Sequence, residues 1–234
     1  MHLELFQTMS PDIVVLNGSP ENEQGNTAFL SQYLIKGLRD SGREITEIYL
    51  YDLKPGFCKG CHNCWKTGSC VYDDEISDVI KKIIKSNLII WATPLYFCTM
   101  TAFTKMVLER VSPIISPFIE KDSHNEDHHY RKDNPSFGLF STCFYPDIKH
   151  FDNLCQLFKD FCLNMNVDYN FELCIPAAPY LISYKDKYEK YFESIYETGK
   201  FYGKNNFVSK DLKEKTSEKI VDENDIFKYH NKMY

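Results

Sequence analysis

No apolar run in the sequence approaches the length of a membrane span. The start also lacks the basic-then-apolar pattern of an export signal, because Glu4 interrupts its few apolar residues. These two absences lead to the expectation of a cytoplasmic protein with no membrane partner. An excess of basic residues is missing as well. Lys and Arg total 27 against 33 Asp and Glu, a net charge of −6, which removes the electrostatic footprint of a general nucleic-acid or anionic-membrane binder. There is no internal repeat and no low-complexity linker. What remains is a chain of 234 residues, 43% hydrophobic and 26% charged, which is globular composition at the length of one large domain or a domain with an appendage.

The two common glycine signatures for nucleotide phosphates are absent too. The stretch Ile13 to Thr27 reads IVVLNGSPENEQGNT. It has neither the Lys that ends a Walker loop nor the GxGxxG of a dinucleotide fold. Yet Ile13 to Leu16 is a short, wholly apolar run, the pattern of a central parallel strand. A polar loop follows, opening into a helix at Asn26-Thr27. Strand, small polar loop and helix N-terminus together form a phosphate-holding arrangement, because the helix start offers unpaired N–H groups and the positive end of its dipole. An ordinary strand-to-helix turn capped by Asn26 is the plainer alternative.

The rest of the chain alternates. Thr27 to Arg39 has helical spacing, Glu44 to Leu50 alternates like an edge strand, and Glu75 to Lys85 is helical behind Asp73 and Asp74. Asn87 to Ala92 reads as a third strand, Thr99 to Ile115 as a long helix, and Glu120 to Asn134 as a polar surface excursion. Ser136 to Cys143, Phe151 to Met165, Tyr169 to Ile175 and Tyr184 to Tyr202 then read as strand, helix, strand and helix. The pattern predicts an α/β fold, a three-layer sandwich whose five-stranded parallel sheet has the order 2-1-3-4-5, with helices on both faces. Ligands of such sheets sit at the carboxyl ends of the strands, near the switch point.

That places the loop after Ala92, with Pro94, Leu95, Tyr96 and Phe97, beside the loop after Ser141, Thr142 and Cys143, with Phe144 and Tyr145. A phosphate cradle and two aromatic loops at one sheet edge describe a site for a phosphorylated flat ring, and flavin mononucleotide (FMN) is the candidate.

Taken together, Gly18-Ser19-Pro20 with Gly25-Asn26-Thr27, the cysteine loop before Asp73-Asp74, and Thr93-Pro94-Leu95-Tyr96 with Lys105 and Arg110 resemble the NADPH-dependent FMN reductase family. Within it, the chain is similar to the iron–sulfur flavoprotein branch of flavodoxin-like oxidoreductases, over roughly Ile13 to Ile175. The resemblance implies a flavodoxin-like fold, bound FMN, NADH or NADPH as co-substrate, and a homodimer or homotetramer. It also implies that Ser19, Pro20, Asn26 and Thr27 bind the phosphate and that Pro94, Leu95, Tyr96 and Phe97 lie along the ring. Ser141, Thr142, Cys143 and Phe144 would sit at the pyrimidine side. The family often has Arg after GSP, whereas this chain has Glu21, Asn22 and Glu23, and carboxylates weaken phosphate binding unless they turn to solvent. The implied activity is electron transfer from a nicotinamide to a quinone, nitro compound, flavin or similar acceptor. An iron–sulfur electron carrier serving a redox protein and a non-catalytic flavodoxin-fold module are the alternatives. Hydride transfer needs no protein acid or base, so no catalytic residue is named. The expected division is residues 1–203 as the FMN domain and 204–234 as a charged tail packing on a neighbouring subunit.

The nine cysteines, an odd number, point in a reducing compartment to thiol, metal or redox chemistry. Cys58, Cys61, Cys64 and Cys70 lie in one loop, a compact spacing that suits a [4Fe–4S] cluster, zinc (with all four thiolates or three with His62), or free thiols. Cys98 and Cys143 fall in the aromatic loops, while Cys155, Cys162 and Cys174 fall in core patterns. His124, His128 and His129, with Asp122, Glu126 and Asp127, sit on the polar excursion and read as a solvated loop rather than a metal site.

Overall fold

The unbroken apolar run at Ile13 to Leu16 forms a strand buried on both faces, as a central parallel strand must be. The computed structural model describes residues 12–121, 126–130 and 135–232. Within them the chain runs β1 (Ile13–Asn17), α1 (Asn26–Asp40), β2 (Ile45–Tyr49), α2 (Asn63–Thr67), α3 (Glu75–Ile84), β3 (Leu88–Pro94), α4 (Ala102–Arg110), β4 (Ile115–Lys121) and β5 (Glu126–Tyr130). It continues through β6 (Ser136–Thr142), α5 (Asp152–Met165), β7 (Tyr169–Ile175), α6 (Ala178–Ser183), α7 (Glu189–Asn205), α8 (Lys210–Ser217) and α9 (Glu223–Asn231). The main sheet is parallel throughout, in the order β2-β1-β3-β6-β7. Its five strands therefore follow the expected 2-1-3-4-5 order once the separate β4–β5 pair is set aside. The half-buried residues of β2 fit its place at an edge.

Side-chain alternation along the strands divides the core. Ile13 and Val15 face the layer of α1 and α7, with Leu34, Leu38, Phe192 and Ile195. Val14 and Leu16 face the layer of α3, α4 and α5, with Ile80, Val107, Leu154 and Phe158. Trp91 is fully buried in the second layer, as a packing anchor. Among the described residues no helix is long and apolar enough to cross a membrane.

Two expectations need correction. The long helix expected over Thr99 to Ile115 is only α4, because the chain first closes a turn at Tyr96–Thr99. Thr101 then caps the helix by accepting from Thr104 N, and Pro113 lies in the 3-10 turn that ends it. The polar excursion is in part an antiparallel ribbon, β4 with β5. Asp122 and His124 lie outside the described residues, as do the side chains of residues 126–130. Apolar residues of the tail pack onto their own chain. Val208, Val221 and Ile226 are buried in the same core as α6 and α7, and Tyr191 donates its hydroxyl to Thr216 O at 2.7 Å.

The α1–α7 contact depends on close backbone approach. A Cβ added at Gly199 would fall 2.2 Å from Leu34 O. We expect Gly199→Ala to cost about 1–3 kcal/mol through overpacking, measured by urea and thermal unfolding. Unchanged stability would show that the two helices are not held at this separation.

Candidate functional site

The loops after β1, β3 and β6 meet at the carboxyl edge of the sheet, where the strand order reverses between β1 and β3. The first loop is tied down internally. Gly18 N donates to Ala92 O at 2.7 Å, and Asn22 N and Gly25 N donate to Ser19 O and Asn22 O. Ser19 N donates to Asn17 Oδ1 at 3.1 Å. A Cβ at Gly25 would fall 1.8 Å from Ser19 Oγ, so the turn closes tightly against the Ser19 side chain. Helix α1 then begins with Gly25 as its N-cap and no side-chain cap, which removes the reading of Asn26 as a capping residue. The N–H groups of Asn26, Thr27 and Ala28 meet no acceptor among the described residues. Three unpaired donors at the positive end of a helix form an anion site. Glu21 and Glu23 are exposed, so the departure from the Arg-containing loop turns its carboxylates to solvent. Thr27 and Thr142 share a hydrogen bond between their hydroxyls at 2.7 Å, joining α1 to the end of β6.

The second loop leaves β3 at Pro94, and Leu95 N donates to Thr142 O at 2.8 Å. Tyr96 and Thr99 exchange backbone hydrogen bonds, with Phe97 and Cys98 between them at φ 47° and 63°. Both are in the left-handed region that Asn-Gly normally occupies in such turns, so the turn holds strain at the sheet edge. It presents Phe97 wholly to solvent and leaves the N–H groups of Phe97 and Cys98 without acceptors among the described residues.

The third loop is more committed than its sequence suggests. Ser141 Oγ donates to Thr93 O at 2.8 Å, and Cys143 N donates to Ile175 O at 3.1 Å. Burial pushes the Cys143 thiol up to about 12, so this residue is core. Phe144 is left facing the edge, its ring 5.2 Å from that of His230 on α9. His230 was missed because the tail's short apolar pattern gave no reason to bring α9 to this edge. The structure thus brings Ser19, Pro20, Asn26, Thr27, Pro94 to Phe97 and Ser141 to Phe144 to the same end of the sheet.

The cysteine loop lies between β2 and α3. Left-handed residues at Gly60, His62 and Gly68 curl it, and α2 carries Cys64. Cys58, Cys61, Cys64 and Cys70 all line one cavity of about 80 Å³, together with Tyr72 and Arg110. Cys58 and Cys61 are exposed, while Cys64 and Cys70 are partly buried. Among the described residues, no group of three or more His, Cys, Asp or Glu side chains is placed to hold a single metal ion. Four thiols lining one cavity are a donor set on which either zinc or a four-iron cluster would draw. Burial, then the neighbouring Cys70, raises the Cys64 pKa.

Arg110, only 1% exposed, also lines this cavity. Its Nη1 donates to Asp74 Oδ2 at 2.8 Å and to Gly56 O at 2.7 Å, and its Nη2 donates to Asp74 Oδ1 at 2.9 Å. Its Nε is buried without an acceptor. An orphaned guanidinium donor on a thiol-lined cavity fits an anionic, sulfur-rich occupant. Lys105, by contrast, makes a surface pair with Glu109.

Residues 11–132, just over half of the chain, match the family model described as NADPH-dependent FMN reductase. Over 102 residues the chain is 31% identical to an iron–sulfur flavoprotein of Methanocaldococcus jannaschii, covering 44% of this chain and 52% of that protein. It is 34% identical over 98 residues to an iron–sulfur flavoprotein of Archaeoglobus fulgidus, covering 42% and 47%. The chain spans about half the length of the curated relatives it matches. Among solved structures, an FMN-dependent NADH-azoreductase from Bacillus anthracis superposes with TM-score 0.61 at 11% identity, covering 82% of this chain and 98% of that one. An NAD(P)H:quinone oxidoreductase from Methanothermobacter marburgensis gives 0.61 at 12%, covering 84% and 96%. At these identities the likeness is one of fold, and the fold is flavodoxin-like.

Hydrogen bonds from Arg110 hold the Asp74 pKa below the usual carboxylate range. A lowered folded pKa stabilises the protein above the unfolded Asp value, about 3.9, and that contribution is lost as pH falls through the folded pKa. We therefore expect Asp74→Asn to cost about 3 kcal/mol at neutral pH, since it strips a buried guanidinium of its counter-charge. The gap from wild type should close below about pH 4, as followed by chemical unfolding at several pH values. A gap independent of pH would contradict the ion-pair account.

Proposed function

The chain belongs to the NADPH-dependent FMN reductase family, and on that premise we propose that it is an FMN-dependent oxidoreductase taking electrons from NADH or NADPH. Its acceptor in this reading is a small molecule such as a quinone, a nitro compound or a free flavin. The observation that carries the proposal is the set of three unpaired N–H groups at Asn26, Thr27 and Ala28, at the same sheet edge as the exposed Phe97 turn. Those residues fit a phosphorylated flavin. Bound FMN supplies two-electron chemistry at its ring, and the chain's own residues do the placing.

Ser19, Pro20, Asn26 and Thr27 take the phosphate in this proposal, with Pro94, Leu95, Tyr96 and Phe97 along the ring. The backbone of Ser141, Thr142, Cys143 and Phe144 borders the pyrimidine side. Because Cys143 N is bonded to Ile175 O, Phe144 N–H is the donor that loop has to give. N–H groups at the ring favour the electron-rich reduced form. In the same reading the protein acts in the cytoplasm and forms a homodimer or homotetramer, the assembly being supported by the exposure of Phe57 and Val71.

The cysteine cavity favours a second reading, in which Cys58, Cys61, Cys64 and Cys70 hold a [4Fe–4S] cluster and electrons leave singly to a redox protein. It is supported by the ring of thiols, by the orphaned Arg110 Nε and by the names of the relatives. A visible spectrum with iron and zinc analysis of anaerobically purified protein separates the readings, and NAD(P)H oxidation with a quinone tests turnover. Flavin bands without metal leave the first reading alone. Protein that rejects added FMN sinks both.

Pro is tolerated at the first helical position, where its missing N–H is not used by the helix. Asn26→Pro should therefore leave the fold intact while removing one phosphate donor, and it should weaken FMN binding about tenfold or more, the worth of a charge-assisted hydrogen bond. A fluorescence titration that finds unchanged affinity would remove this helix start from the site.

A further inference from the structure

Arg110 is the buried charge among the described residues, and its bonds gather both flanks of the cysteine loop. Nη1 donates to Gly56 O at the loop's entry, and both Nη atoms engage Asp74 at its exit. Asp74 also accepts from Gly56 N at 3.0 Å, and the guanidinium carbon lies 4.9 Å from the centre of the Tyr72 ring. One donor is left over. Nε is buried and makes no hydrogen bond, although Arg110 lines the same cavity as Cys58, Cys61, Cys64 and Cys70. Burial works to lower the Arg110 pKa, while Asp74 and the nearby Cys70 sulfur raise it. A buried donor of a charged group without a geometric partner calls for an explanation, and Cys70, whose sulfur already acts on the Arg110 charge, is the candidate acceptor.

We propose that Arg110 is a positioning residue for the group held by the four cysteines, donating its free Nε–H to the Cys70 sulfur and setting the reduction potential there. The inference rests on the iron–sulfur reading above and deepens it. A hydrogen bond to a cluster sulfur and a nearby positive charge both favour the more negative, reduced state and so raise the potential. Asp74 opposes Arg110 with a negative charge of its own. The pair acts as two opposed weights on one potential, and this differs from a purely structural tie.

The test is a spectroelectrochemical titration of the full chain with FMN, prepared anaerobically, for wild type, Arg110→Gln, Arg110→Lys and Asp74→Asn, after iron analysis of each. Arg110→Gln should lower the reduced-to-oxidised ratio of the cluster at a fixed potential about tenfold, a fall of about 59 mV for one electron. Arg110→Lys keeps the charge but not the Nε donor and should fall less. Asp74→Asn should shift the potential upward. A structural role would move the variants in one direction or alter only their iron content, so shifts of the same sign, or none, overturn the inference. If Arg110→Gln loses its iron, Asp74→Asn decides alone: an upward shift supports the assignment, and any other result overturns it. Iron-free wild-type protein overturns the iron–sulfur reading and this inference together. Iron-loaded wild type with unmoved variants overturns this inference only.

Discussion

Everything at the candidate site depends on how β1 hands the chain to α1. Because β1 pairs in parallel with both β2 and β3, it must be apolar on both faces, and the chain leaves the sheet at its carboxyl edge. The following loop spends its own N–H groups on Asn17, Ser19 and Asn22 and closes on Gly25, a residue with no side chain to cap the helix. The first turn of α1 is therefore left open at the point where the sheet's topology reverses. An open helix start lowers stability unless an anion occupies it, and the structure keeps it beside two further loops with donors of their own.

The second constraint is electrostatic. Arg110 is carried into the interior by α4 and can stay charged there only with Asp74 opposite. That pairing, with Gly56 and Tyr72, stations the cysteine loop next to the sheet edge that bears Phe97 and Cys98. A groove lined by Cys58, Cys98, Lys105 and residues of α5 runs between them. The sheet edge and the thiol pocket are thus two ends of one α4-centred arrangement.

Much of this was legible in the sequence, for identifiable reasons. The apolar run at Ile13 to Leu16, the polar loop opening into a helix and the alternation of strand with helix each have a periodicity or composition that survives without tertiary context. The turn at Phe97–Cys98 does not. Aromatic and thiol side chains in left-handed conformation carry no local signal, so the start of α4 was read too early. Cys143 ends β6 beside Phe144, and its thiol is buried as a small core side chain while its N–H is bonded to β7, a commitment set by strand register that the sequence does not carry. The packing of the tail on its own chain is hidden for a related reason: Val208, Val221 and Ile226 are spread in and around short helices and form a core only against α6 and α7. The place of Arg110 at the cysteine cavity was equally invisible, because helical spacing says which face a residue occupies and not which loop covers it.

The central claim, that α1's open start holds the phosphate of a flavin, is tested most directly by comparing FMN with riboflavin, which has the same ring and no phosphate. Each ligand is titrated into flavin-free protein and followed by flavin fluorescence. With several charge-assisted hydrogen bonds at stake, each worth about 1.5–3 kcal/mol, FMN should bind at least about a hundredfold more tightly. Equal dissociation constants would contradict the account, because the ring would then be held without help from Asn26, Thr27 and Ala28.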